Sequence, residues 1–328
     1  MTKHKLVVIG NTWQWTFTNL PHFLSVIEKH LEIEPYVEGK AYHPSTVFLI
    51  FATLYDEVTA KKFEDKRVII ELCAEGFFGK WGELYKIKSP NHCIFYGSLI
   101  QNPPDDAVSV ANFFWYNEAL GNIERGYNRS YNPNKNFTKK FLMPIGTKRP
   151  WRDHVVNRLD PYLEDAYWSY VRRGVTLPGE TTATKKYDQR YFNPMWYDDT
   201  CFGVVVESYN GQRLIPEVPV FVTEKTFKPI SGLQPFMVIG GAGILEYLRS
   251  QGFETYDNIF DETYDTETNF DKKLDIIIKN IQLYNKGPYG TKTLKKIKHN
   301  FNLFYNVDVI HRGIVKDIVE PIVKFIEK

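Results

Sequence analysis

The chain is poor in cysteine and has almost no net charge. Cys73, Cys93 and Cys201 are odd in number, far apart and without a C-x-x-C pair. That pattern argues against a disulfide framework and against a structural zinc site. Lysine and arginine (41) nearly balance aspartate and glutamate (39), a net +2 over 328 residues. No global field therefore draws the protein to nucleic acid or membrane, and a polyanion would have to be met by a local patch. Nowhere do the roughly 18 apolar residues of a spanning helix run together. The opening MTKHKLVVIGN reads as a strand and lacks the apolar core and cleavage site of a signal peptide. These features predict a soluble, cytoplasmic protein with no membrane span. No internal repeat is visible. No Asp-x-Asp pair closes an apolar strand, since Asp198-Asp199 and Asp261-Glu262 lie in aperiodic polar stretches, so no catalytic metal is expected.

What is present is core-forming sequence: 43% of residues are hydrophobic and 16% aromatic, ample for two domains of ordinary size. Tyrosine and phenylalanine exceed what packing needs, so some are expected to line a cleft. Short apolar runs at Lys5–Ile9, Thr46–Phe51, Val68–Leu72, Cys93–Tyr96, Lys140–Pro144, Phe202–Val206 and Pro235–Ile239 alternate with helical stretches at Asn19–Leu31, Trp151–Tyr162, Glu224–Ser231, Gly243–Gln251, Asn269–Tyr284 and Thr291–Tyr305. This alternation is the mark of βαβ units and parallel sheets. The polar, aperiodic run Arg125–Phe137 reads as a linker. It divides the chain into 1–137 and 138–306, with an amphipathic terminal helix over 307–328 that Pro321 interrupts and that packs back on the body. The acidic stretch Tyr256–Asn269 reads as a solvated loop.

The segment Phe202–Gly240 carries the most chemistry. It reads as a strand, a long loop, a helix opened by Thr223-Glu224-Lys225, and a second buried strand. Thr223 is a good N-cap and Glu224 suits the positive end of the helix, which alone explains both residues. The alternative is a ligand site at the carboxyl ends of parallel strands, with Lys225 and backbone N–H groups on a phosphate and Glu224 on a sugar diol. Spacing does not choose between the two.

The segment resembles the signature of the α1,3-fucosyltransferase family of glycosyltransferases, roughly F-x-x-x-F-E-N-S, Y-x-T-E-K and V-P-V-x-x-G. The matching residues are Phe202, Val206-Glu207-Ser208, Phe221 to Lys225, and Gln234 to Gly240. Ser208 stands where the family has asparagine, and Phe221 where it has tyrosine. The family's basic R-x-H-R run is similar to Arg149-Pro150-Trp151-Arg152. The resemblance, which spans about Phe141–Phe253, implies two Rossmann-like α/β domains facing a cleft, the GT-B arrangement. It further implies an inverting, metal-independent transfer from a nucleotide sugar to a hydroxyl acceptor. Glu224 would bind the ribose, Lys225 the phosphates, and Arg149 or Arg152 the diphosphate, with Glu207, Ser208 and Thr223 beside them. GDP-sugar is the favoured donor and UDP-sugar the other candidate; no cofactor is held permanently.

An inverting transfer needs a carboxylate to take the acceptor proton. Glu75 and then Glu71, after the strand Val68–Ile70, are the candidates, against a plain solvated or salt-bridged role. The turn Gly240-Gly241-Ala242-Gly243 suits either a close approach by sugar or phosphate or simply a tight strand–helix turn, and Gly10-Asn11-Thr12 is a weaker case of the same. The basic run Lys292–His299, followed by Phe301, Phe304 and Tyr305, reads as a surface helix or as a strip for DNA. The acceptor is therefore a glycan or other hydroxyl compound, or a modified DNA base if the enzyme is of viral or phage type and works in host cytoplasm. A non-catalytic binding module of the same fold is the remaining reading.

Overall fold

The computed structural model describes residues 4–10, 20–73, 81–97, 104–127, 130–131, 135, 137–179, 193–210 and 220–328, the side chains of residues 81, 82 and 172 excepted. These divide into two compact units. One holds the described residues up to Leu120 together with Val307–Lys328, and the other holds those between Gly121 and Asn306. Each is α/β and built on one parallel sheet, as the alternation of apolar runs and helical stretches predicts.

The first unit has six parallel strands, β1 (His4–Ile9), β2 (Leu31–Pro35), β3 (Val47–Phe51), β4 (Arg67–Leu72), β5 (His92–Tyr96) and β6 (Ala107–Ser109), in the order β2-β1-β3-β4-β5-β6. All five residues of β3 and of β5 are buried, so these strands read as unbroken apolar runs rather than alternating ones. Phe48 pairs with Val68, and Val68 with His92. The helices are α1 (Pro21–Ile27), α2 (Glu57–Lys62), α3 (Trp81–Ile87) and, as far as Leu120, α4 (Phe113–Glu124).

The second unit has four parallel strands, β7 (Lys139–Ile145), β8 (Ala166–Tyr170), β9 (Thr200–Val206) and β10 (Phe236–Ile239), in the order β10-β9-β7-β8. Its helices are α5 (Pro150–Leu159), α6 (Pro194–Asp199), α7 (Glu224–Ser231), α8 (Ile244–Ser250), α9 (Phe270–Leu283) and α10 (Thr291–Phe304). Asp160-Pro161 ends α5 in a 3-10 segment over Asp160–Asp165, short of the expected end at Tyr162. The acidic stretch is not a solvated loop: Tyr256, Phe260, Tyr264 and Asp265 are all buried. The basic run forms α10, which buries Lys296, Ile297, Asn300 and Phe304 and leaves Lys292, Lys295, Lys298 and His299 exposed.

The segment after α10 is helical through Pro321, as α11 (Val307–Ile314), a π-helical turn (Val315–Val319) and α12 (Glu320–Glu327). Proline has no N–H to give and its ring crowds the carbonyl four residues earlier, so a wide turn ahead of Pro321 relieves that clash. The same turn serves the buried stripe Ile310, Ile314, Ile318, Ile322 and Ile326. At about 100° per residue, a spacing of four drifts about 40° per step around an α-helix, and the π turn takes up part of the drift. Asp317, inside that turn, accepts from Asn112 Nδ2 at 3.1 Å and from the Tyr116 hydroxyl at 2.8 Å. A Cβ on Gly313 would lie 2.1 Å from that hydroxyl, so only glycine allows the helix this close.

Candidate functional site

In a doubly wound sheet, the helices that follow the first strand and its outward neighbour lie on opposite faces. A crevice opens where the strand order reverses, at the carboxyl ends. In the second unit that point lies between β7 and β9. The segments leaving β7, β9 and β10 carry Arg149 and Arg152, Glu207 and Ser208, and Gly240 and Gly241, and α7 opens with Glu224 and Lys225.

Glu207 directly follows β9 and is completely buried. One carboxylate oxygen accepts from the Thr223 N–H at 3.0 Å and the Thr226 hydroxyl at 2.6 Å. The other accepts from the Thr223 hydroxyl at 2.6 Å and the Ser208 N–H at 3.1 Å. Burial raises its pKa above the ordinary glutamate value, against the opposing pull of Lys225 and the threonines. Thr223 is the N-cap of α7 and accepts from the Lys225 N–H at 3.4 Å. In a capping box, the third residue of the helix is a glutamate that accepts the N-cap N–H. Here that position is Thr226, and the carboxylate arrives from β9.

Arg152 is equally interior, with 1% of its surface exposed. Its guanidinium donates to the carbonyls of Thr147 at 3.0 Å, Glu207 at 2.8 Å and Val206 at 3.4 Å, and it lies 5.2 Å from the centre of the Trp151 ring. It ties the loop after β7 to the end of β9. Arg149, the N-cap of α5, makes no side-chain cap bond. It is half-buried, and its Nε has no hydrogen-bond partner among the described residues.

Glu224 is 4% exposed. Its Oε1 pairs with Lys225 Nζ at 2.8 Å, while its Oε2 is buried with no hydrogen-bond partner among the described residues. A buried carboxylate oxygen left open costs free energy, on the order of 1–3 kcal/mol, unless a donor arrives from outside. Lys225 Nζ also reaches the Thr223 hydroxyl at 3.4 Å and is only partly buried.

The glycine turn after β10 is filled by the protein itself. The Asp265 carboxylate, 4% exposed, accepts from the N–H groups of Leu245 at 3.0 and 3.1 Å and of Glu246 at 3.3 Å, so the start of α8 already has its anion. Lys273, 3% exposed, donates to the carbonyls of Gly240 at 3.0 Å and Gly241 at 3.4 Å. Burial pushes the Asp265 carboxyl up and the Lys273 ammonium down from their ordinary values. A Cβ on Gly240 would stand 2.6 Å from Ile244 Cδ1 and 3.2 Å from Glu207 Cβ, so this glycine is needed for the packing of Glu207. Gly240→Ala is expected to cost about 1–3 kcal/mol by overpacking. Urea denaturation measures it, and an unchanged midpoint would show that the site gives way freely.

The structure thus joins Arg152, Glu207, Ser208, Thr223 and Gly240 by direct contact, with Glu224 and Lys225 on the helix they hold. Glu71 lies elsewhere, within β4, completely buried and in register between Phe51 and Phe95. Burial, and then the Glu71 charge, hold the Cys73 thiol well above its ordinary value. Glu75 lies outside the described residues, as do Asn11 and Thr12. Thr226, Asp265 and Lys273 were not singled out by the sequence. Of these, only Thr226 carried a local signal, a threonine where a capping box has glutamate. Among the described residues no group of three or more His, Cys, Asp and Glu stands together as a metal site requires, and no helix is long and apolar enough to cross a membrane.

These features define an α/β unit with charged side chains gathered at the carboxyl ends of its parallel strands, beside the point where the strand order reverses. No protein-family model matches the chain, and no curated protein does. Among solved structures, the chain is similar to an α1,3-fucosyltransferase, with TM-score 0.48, 11% identity, and coverage of 95% of this chain and 93% of that one. It is also similar to an α1,3-fucosyltransferase solved with GDP-fucose (0.47, 12%, 93% and 90%) and to one solved with GDP (0.45, 12%, 94% and 93%).

Proposed function

We propose that the protein is a nucleotide-sugar-dependent glycosyltransferase, inverting and metal-independent, that takes a GDP-sugar as donor and a hydroxyl compound as acceptor. One observation carries this reading: a buried carboxylate oxygen of Glu224, lacking a donor among the described residues, stands beside the Lys225 ammonium at the start of α7. A hydroxyl pair gives the open Glu224 oxygen a donor, and an adjacent diphosphate, as in a nucleotide, is the anion that suits the ammonium beside it. Lys225 and Arg149 hold the diphosphate and stabilise the charge that grows on it as it leaves. Arg152 has its guanidinium in the scaffold, so of the two arginines Arg149 is assigned to the ligand. In the reaction the acceptor oxygen loses its proton to a carboxylate and attacks the anomeric carbon. The bond from that carbon to the diphosphate oxygen breaks, and the nucleoside diphosphate departs with the electron pair. Glu75 is assigned as the base in preference to Glu71, which is enclosed in β4.

A thermal-shift panel of GDP, UDP, TDP and CDP, each with its sugars, tests the reading. One nucleotide at about 100 times its dissociation constant is expected to add roughly 2.7 kcal/mol of stability. Glu224→Ala and Lys225→Ala are expected to weaken that response markedly at the same ligand concentration, whereas Glu75→Gln is expected to keep it and lose transfer. If no nucleotide shifts the wild type, the chain is a binding module of some other kind.

A further inference from the structure

We infer that Glu207 is a positioning residue for the donor site, a capping glutamate supplied from the sheet that holds the first turn of α7 where Glu224 and Lys225 can meet a nucleotide. The inference rests on the donor reading above and adds to it the part that keeps the site in shape.

Glu207 is engaged at both ends. Its backbone carbonyl is gripped by Arg152 at 2.8 Å, and Arg152 also grips Thr147 in the loop after β7. Its carboxylate receives four donors, and three of them come from the N-cap and third residue of α7. Arg152 and Glu207 therefore form one continuous tie from the segment after β7, across the end of β9, to the residues that flank Glu224 and Lys225. Both carboxylate oxygens are saturated by the protein, and Glu207 is completely buried, so it has no acceptor left to offer a ligand. A helix start fixed only by its own backbone frays within the first turn. One tied by charge-assisted hydrogen bonds to a sheet keeps its first side chains in one place, as a preorganised site requires.

The test is nucleoside diphosphate affinity by calorimetry, with melting temperature measured alongside. Glu207→Gln replaces one acceptor oxygen by an NH₂ group that faces donors, and Thr226→Val removes one hydroxyl without changing size. Thr226→Ser restores the hydroxyl. Ile277→Val, a buried truncation on a different helix, α9, supplies a loss of stability for comparison. Glu207→Gln is expected to raise the dissociation constant about tenfold and Thr226→Val about threefold, in line with the loss of charge-assisted hydrogen bonds. Thr226→Ser and Ile277→Val are expected to stay within about twofold. Faster amide exchange at the start of α7 in the first two variants, without ligand, would show the loosened turn directly. If the wild type binds while Glu207→Gln and Thr226→Val bind equally well, Glu207 only supports the fold and the inference is overturned. If the wild type binds no nucleoside diphosphate, the donor reading falls and takes this inference with it.

Discussion

Replacing Arg152 by alanine is expected to destabilise the protein by about 3 kcal/mol, whereas replacing Arg149, three residues earlier, is expected to leave stability within about 1 kcal/mol of wild type. The two arginines open the same helix, but the structure gives them different environments. Arg152 is interior, and its guanidinium donates to three backbone carbonyls of two separate segments. Alanine strands the carbonyls of the buried residues Val206 and Glu207, and each buried unpaired acceptor costs on the order of 1–3 kcal/mol. Relaxation around the cavity recovers part of that. For a unit of this size the loss corresponds to a fall of roughly 6–12 °C in melting temperature. Arg149 makes no cap bond with its side chain and is half-buried, so its removal breaks little that holds the fold. Arg149→Ala is expected instead to weaken nucleoside diphosphate binding. Differential scanning calorimetry of the two variants decides the matter, and the reverse order of stabilities would exchange the two roles.

Lys225→Ala is expected to lower kcat/KM for the donor by about 10²–10³, the usual cost of removing one group aimed at the charge that develops as a bond breaks. The same change takes the cationic partner from the buried Glu224 carboxylate, so a fall in activity alone would not isolate the contact with phosphate. Affinity for the free nucleoside separates the two effects. If Lys225 holds phosphate, Lys225→Ala binds the nucleoside as the wild type does and loses affinity only for the diphosphate. Equal losses for both ligands would mean that the substitution had disordered the site around Glu224.

Much of the fold was legible in the sequence. The seven apolar runs all became strands within one or two residues of their expected ends, because strands buried on both faces need unbroken apolar side chains. The strands that went unread have weaker signals. β2 (LEIEP) is an edge strand with two glutamates and a proline, and the expected helix before it ran on to its first residue, β8 (AYWSY) is aromatic rather than aliphatic, and β6 has three residues. Pro321 suggested an interruption, but a π turn ahead of it lets the helix continue.

The site was legible as a location more than as a set of roles. Thr223 as N-cap followed from local chemistry. Glu207 and Arg152 were expected on the ligand, because nothing in the linear order of a motif tells which way a side chain turns at the end of a strand. Their partners, Thr223 and Thr226 for the one and Val206 for the other, are brought up only by the fold. Asp265 lies 20 residues beyond Leu245, whose N–H it caps, too far for any local pattern, so the glycine turn that it occupies looked open to a phosphate.

The central claim is that the open oxygen of Glu224 accepts a ribose hydroxyl, and the most direct measurement compares the favoured nucleoside diphosphate with its 2′,3′-dideoxy analogue by titration calorimetry. A site built to bind hydroxyls loses at least about tenfold in affinity when they are removed, since its buried acceptor is then left unpaired. The wild type is expected to prefer the ribose form by at least that factor, and Glu224→Ala is expected to bind the two forms equally. Equal binding of both forms by the wild type would contradict the assignment of Glu224.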